Sequence, residues 1–184
     1  MIGAIREMQI SDGLLLLTGE LQSANGVPVT TGFAAFDLAT GATHPFDIAP
    51  LVTVDAVATW QGTLYLAGQL AGGVGPSGVR IDIGNGTPQA WNVTVAGIQQ
   101  LVPGPFHVFA RTTVGVVALG PLLGEASGNP LALGGGAPID MARGADRLWV
   151  ATAGSDEYAV HAFSYTSLAA LHPPAVREDV PALH

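Results

Sequence analysis

The sequence predicts an all-β chain built from about four copies of one four-stranded antiparallel unit, and two observations carry that expectation. The first is internal repetition. Leu14-Leu15-Leu16-Leu17-Thr18-Gly19-Glu20-Leu21 is answered by Thr63-Leu64-Tyr65-Leu66-Ala67-Gly68-Gln69-Leu70. Phe33-Ala34-Ala35-Phe36-Asp37-Leu38-Ala39-Thr40-Gly41 is answered by Val79-Arg80-Ile81-Asp82-Ile83-Gly84-Asn85-Gly86, and the copies close on Pro45-Phe46-Asp47 and Ala90-Trp91-Asn92. A period of roughly 45–50 residues, made only of short apolar runs and turns, is how a β-propeller blade looks in sequence. The second observation is composition. The 184 residues include 25 glycines and 13 prolines but are only 11% charged, where about 25% is ordinary. Helical surfaces carry many Glu and Lys; this chain has no lysine, so turns and strands are expected instead.

Each clear copy reads as four strands. An inner strand, Ile5 to Ile10 or Val54 to Thr59, turns at Asp12-Gly13 or Gln61-Gly62, where X-Gly pairs supply the positive φ of tight hairpins. The second strand, Leu14 to Thr18 or Leu64 to Ala67, is nearly all apolar, as suits a strand covered on both faces. A long loop follows at Asn25-Gly26-Val27-Pro28 or Gly72-Gly73-Val74-Gly75-Pro76. The third strand, Phe33 to Leu38 or Val79 to Ile83, ends in a glycine turn, and a short fourth strand carries Phe46 or Trp91.

Two worn copies follow. One has His107-Val108-Phe109-Ala110 in the second-strand slot, then Val116 to Leu119, Ser127-Gly128-Asn129 and Leu131 to Leu133. The other runs through Ile139-Asp140-Met141-Ala142, Asp146 to Ala151 and Val160 to Ser164. Blades are thus expected near 5–50, 53–95, 97–135 and 138–170, making 1–171 one propeller domain. Residues 172–184, with His172-Pro173-Pro174, match no blade position and read as a C-terminal proline-rich arm or short cap. Four blades either close alone or form part of a larger or oligomeric ring; a half-ring would leave two apolar faces for self-association or a protein partner.

The string L-Y-L-A-G-x-L, followed by A-A-F-D-L-A-T-G and P-F/W, resembles the delta-sixty-type repeat over residues 5–92 and more weakly over 98–165. That repeat builds propeller domains of bacterial cell-surface proteins and, in related form, of a cortical marker protein of fungal polarity. The resemblance implies propeller blades and an extracellular or surface setting. It implies no shared catalytic residues. Residues 98–165 lack the Asp and Thr of the D-x-x-T-G turn.

Chemistry is sparse. Without cysteine there are no disulfides or thiolate metal sites. A net charge of −8 with scattered arginines argues against nucleic acid, which needs a basic stripe against its phosphates. No run of apolar residues is long enough to cross a bilayer, and no signal-peptide pattern opens the chain. Gly73-Val74-Gly75-Pro76-Ser77-Gly78 fits G-x-G-x-x-G, but a strand follows where a dinucleotide site needs a helix. His44, His107, His161, His172 and His184 show no metal-ligand spacing, and no serine occupies a nucleophile elbow. Asp55 and Asp140 are the one carboxylate pair on inner strands that glycoside hydrolysis could use. Trp91, Phe46 and Trp149 read as aromatics packed between blades. Trp60, beside the Gln61-Gly62 turn, reads as exposed and able to anchor a sugar or a partner.

Inner strands of a propeller converge on its central channel. Here they carry Glu7, Asp55, Gln99 and Asp140, a mostly acidic set with only Arg6 as a nearby base. Glu7, Asp55, Trp60, Gln99 and Asp140 are therefore the candidate ligand or partner contacts. The functional expectation is a non-enzymatic propeller, requiring no cofactor, that binds or scaffolds on a cell surface, an appendage or a virus particle. A carbohydrate-binding or carbohydrate-active propeller is the alternative.

Overall fold

The computed structural model describes residues 2–49, 51–70, 76–155, 157–169 and 175–176. Fifteen strands form four antiparallel sheets, with no helix among the described residues. Blade 1 comprises β1 (Ile2–Ser11), β2 (Leu14–Ala24), β3 (Val27–Pro28) and β4 (Phe33–Asp37), with β3 and β4 both pairing β2. Blade 2 is β5 (Leu51–Trp60), β6 (Thr63–Leu70), β7 (Pro76–Asp82) and β8 (Pro88–Trp91) in sequential order. Blade 3 has three strands, β9 (Ile98–Pro103), β10 (Val108–Thr112) and β11 (Val116–Leu119). Blade 4 is β12 (Ala137–Arg143), β13 (Arg147–Ala153), β14 (Tyr158–Ser164) and β15 (Ala175–Val176).

The inner hairpins form where X-Gly pairs predict them. Asp12-Gly13 and Gln61-Gly62 place both central residues at positive φ, the backbone twist that suits a two-residue hairpin. Asn25-Gly26 does the same, so the first expected long loop is a tight turn that prolongs β2 into β3. The equivalent stretch of the second copy, residues 71–75 with the first half of the G-x-G-x-x-G pattern, lies outside the described residues.

Every inner strand carries a β-bulge at the same place. Pairing skips Arg6 between Ile5↔Gly19 and Glu7↔Thr18, and skips Asp55 between Val54↔Gly68 and Ala56↔Ala67. It skips Gln99 between Ile98↔Thr112 and Gln100↔Arg111, and Ile139 between Pro138↔Thr152 and Asp140↔Ala151. A bulge adds one unpaired residue, sharpens the twist and re-aims the side chains beside it. The bulges also set the true repeat register: Arg111, not Ala110, is the counterpart of Ala67 and Ala151.

Apolar clusters lie between successive blades. Leu16, Val57, Leu64 and Ile81 join blades 1 and 2; Tyr65, Trp91, Leu101 and Leu119 join 2 and 3; Phe109, Met141, Leu148 and Phe163 join 3 and 4. No cluster and no extensive contact joins blade 4 to blade 1 among the described residues. Among the described residues the four blades form an open arc. Trp91 is wholly buried and its indole Nε1 donates to Gly120 O at 2.9 Å, which pins the outer edge of blade 2 to blade 3.

The five-residue turn after each third strand recurs four times with changing chemistry. Asp37 Oδ1 accepts from the N–H groups of Ala39 and Thr40 and from the Thr40 hydroxyl, while Gly41 N donates to Asp37 O. These Thr40 bonds hold the exposed Asp37 carboxyl below its ordinary pKa. Asp82 to Gly86 repeats the arrangement. Gly124 N closes on Gly120 O in blade 3, and Leu168 N closes on Ser164 O in blade 4, with Leu168 in a left-handed conformation.

Several expectations need correction. Phe46 lies in no strand: the outer edge of blade 1 is a single Phe36↔Thr43 bridge, and Pro45 lacks the N–H a ladder requires. Phe46 still packs against the blade 1–2 core. Leu131 to Leu133 is irregular chain with both leucines buried, preceded by Pro130, and not a strand. The expected arm contributes β15, which pairs with β14 as the outer strand of blade 4; the rest of 172–184 lies outside the described residues. Trp149 is exposed on the outer face of blade 4 instead of lying between blades.

Gly41 and Gly86 have the positive φ their turns demand, whereas Gly68 does not. Its constraint is steric: a Cβ there would sit 1.8 Å from the backbone oxygen of Thr53 across the bulge. Gly68→Ala should therefore destabilise the chain by about 3 kcal/mol, because β5 and β6 must separate to admit one methyl group. Urea denaturation checks this, and a loss under about 1 kcal/mol, the cost of a mild propensity change, would refute the steric account.

Candidate functional site

The bulges gather polar side chains around the axis of the arc. Two adjoining cavities, each of about 550 Å³, share Glu7 and Gln100 in their walls. One is completed by Arg6, Gln99, Arg111 and Asp140. The other includes Gln9, Thr59, Trp60 and Arg143.

The hydrogen bonding here also ties blades together. Gln100 accepts from Met141 N at 2.9 Å through Oε1 and donates through Nε2 to Met141 O at 3.1 Å and Asp140 Oδ1 at 2.9 Å. Arg111 donates to Gln100 Oε1 at 3.2 Å and to Gln99 Oε1 at 2.7 Å. Glu7, one residue past its bulge like Gln100, accepts from Val57 N of the next blade at 3.5 Å. Arg6 and Asp55, both bulge residues, form an ion pair at 3.8 Å between blades 1 and 2.

The five residues singled out from the sequence meet different fates. Glu7, Gln99 and Asp140 reach one cavity, and Asp55 is engaged by Arg6 beside it. Trp60 is not an exposed platform. It is the last residue of β5, half-buried, and the guanidinium of Arg143 lies 4.1 Å from its ring centroid. An acidic channel with Arg6 as the only base is also overturned, since Arg111 enters the same cavity. Reading His107 to Ala110 as the equivalent of Leu64 to Ala67 hid it: shifted by one, a strand turns every side chain to its other face. Gln100 and Arg143 were missed as well. A glutamine in the doublet Gln99-Gln100 gives no sign of which copy is bulged.

Glu7 is the perturbed acid of the site. Burial pushes its pKa up to about 6, against partial relief from the Val57 N–H and the Arg111 charge, and Asp140 adds to the rise. Among the described residues no three His, Asp or Glu side chains are grouped to hold a metal ion.

No family model and no curated protein matches this chain. Solved structures do. The WD40 domain of Neurospora crassa Pan2 superposes with a TM-score of 0.64 at 14% identity, covering 94% of this chain and 52% of that one. The computationally designed Ika8 protein gives 0.58 at 14% identity over 91% of this chain and 48% of its own. The extracellular domain of a proposed one-component system of B. thetaiotaomicron gives 0.59 at 12% identity, over 90% of this chain and 21% of its own. These likenesses define the class: an all-β propeller fold. This chain spans about half of the Pan2 and Ika8 chains.

The Glu7 environment gives a pH test with a definite sign. Its ordinary pKa is 4.5 and its folded value about 6, so the folded chain holds that proton more tightly. The resulting stability is complete below pH 4.5 and is lost as pH rises through 6. Glu7→Gln keeps an oxygen for Val57 N without the buried charge. It should exceed the parent by about 1–2 kcal/mol at pH 8, and the gap should close toward pH 4. Denaturant midpoints across that range measure it; a constant gap would place the cause outside the Glu7 charge.

Proposed function

We propose that this chain is a non-enzymatic propeller of the delta-sixty repeat type that binds a protein segment at its axial cavity, acting as a recognition or scaffold module in a surface or extracellular setting. The carrying observation is the cavity wall, where Glu7 and Asp140 stand with Arg6, Arg111, Gln99 and Gln100. Both charge signs and two side-chain amides lie within one recess, which suits the mixed donors and acceptors of a polypeptide loop or terminus. The carboxylates are bound up in inter-blade bonds: Asp55 with Arg6, and Asp140 with Gln100. That favours recognition over general acid–base work by the Asp55–Asp140 pair. The sequence resemblance and the extracellular-domain neighbour support the surface setting.

A carbohydrate reading would need Trp60 as a stacking face, and Arg143 already occupies one side of that ring. Selection from a random-peptide display library, run beside a glycan array, separates the two. Peptides should be enriched, and their affinity should fall at least tenfold on Arg111→Gln and on the double change Asp55→Asn, Asp140→Asn. Glycan hits that depend on Trp60, with no peptide enriched, would overturn the protein-recognition reading.

A further inference from the structure

Counting from the bulge places equivalent residues of the four blades in register, and the comparison isolates two faces. Two residues past the bulge stand Met8, Val57, Leu101 and Met141, each on the face its blade turns toward the preceding one. Val57, Leu101 and Met141 are 0%, 4% and 4% exposed because a preceding blade covers them; Met8 is 65% exposed. On the opposite face, the second-strand partner of the next inner residue is Leu16, Tyr65, Phe109 or Trp149. The first three are 0%, 5% and 0% exposed under the following blade, and Trp149 is 39% exposed. Around Met8 the open face continues with Ile10 and Leu15; around Trp149 it continues with Ala142, Ala151 and Val160. Among the described residues no blade covers this face of blade 1 or the opposite face of blade 4.

These are the two halves of one interface that the chain already builds three times. From that complementarity we propose that a second copy of this chain covers both faces. Its blade 1 packs on the blade 4 face here, and its blade 4 packs on the blade 1 face, around a two-fold axis along the channel. The chain's four sheets then become a ring of eight blades, within the known range for propellers. A ring of two such halves also agrees with the share of longer propeller chains on which the arc superposes, 52% and 48%. A head-to-tail contact closes only if its rotation divides the circle, and one that closes at two copies forms two identical seams at once. That doubling helps reach the roughly 1,200–2,000 Å² of buried surface that stable association needs. The proposal stands apart from peptide recognition, because cavity substitutions such as Arg111→Gln leave both faces intact.

Light scattering on the 184-residue chain at micromolar concentration should give twice the 18.7 kDa of one copy. Met8→Glu and Trp149→Glu should each give the single-copy mass with an unchanged β circular-dichroism spectrum. Val114→Glu, at an exposed apolar residue away from both faces, should leave the mass doubled. Crosslinking guards against variants that misfold. The chain has no cysteine, so a Met8→Cys, Trp149→Cys double variant offers only designed thiols. Under mild oxidation it should yield a covalent pair of chains, while either single cysteine variant should not. A single-copy mass for the parent overturns the proposal, as does an oligomer that survives both glutamate substitutions.

Discussion

The two middle sheets of this molecule are apolar on both faces, and a sheet of that kind has to be covered twice. That requirement organises the rest. It places Leu16, Tyr65 and Phe109 in three successive interfaces, makes the second strands rich in apolar side chains and sets the blades around an axis. Burial of this sort is non-directional and contributes about 25 cal/mol per Å² of apolar area, so it fixes that blades stack but not their exact register. Register comes from polar and steric devices at the inner edge. The bulge in each inner strand decides which side chains see the channel, and Gly19 and Gly68 leave room for the crossing backbone.

The division of labour explains what could be read from the sequence. Blade existence was legible because covering both faces demands apolar runs, and those runs recur. The tight turns were legible because Asp12-Gly13 and Gln61-Gly62 have few conformational alternatives. The site was only half legible. Glu7 and Asp140 could be named, because polar residues on inner strands have few places to go except the axis. Arg111 could not, because the bulge at Gln99 shifts the register by one and leaves no mark in composition.

The worn repeats show why sequence signatures fade faster than shape. In two blades an aspartate organises the five-residue turn; in the others Gly120 and Ser164 start it, and the closing backbone hydrogen bond persists in all four. The adjacent strands dictate the path, and the residue at the corner only eases it. Leu168 is the extreme case. It accepts a backbone conformation that costs of order 1–2 kcal/mol for a residue with a Cβ, and its side chain packs against the blade 3–4 core. Apolar burial offsets local strain there.

The seams between blades are not fastened alike. Blades 1 and 2 are tied near the axis by Arg6–Asp55, Glu7–Val57 and Gln9–Thr59, and blades 3 and 4 by the bonds of Gln100 to Asp140 and Met141. Blades 2 and 3 are tied at the far rim, by Trp91 to Gly120 and by Asn92 N to Leu123 O. Among the described residues no side-chain hydrogen bond joins that middle seam at the axis. At the axis the two pairs of blades meet instead through the packing of β5 on β9 and through the guanidinium of Arg143, on blade 4, over the Trp60 ring of blade 2. Any widening of the axial recess between the two pairs must therefore lift Arg143 from Trp60, so a single cation–π contact latches the width of the recess.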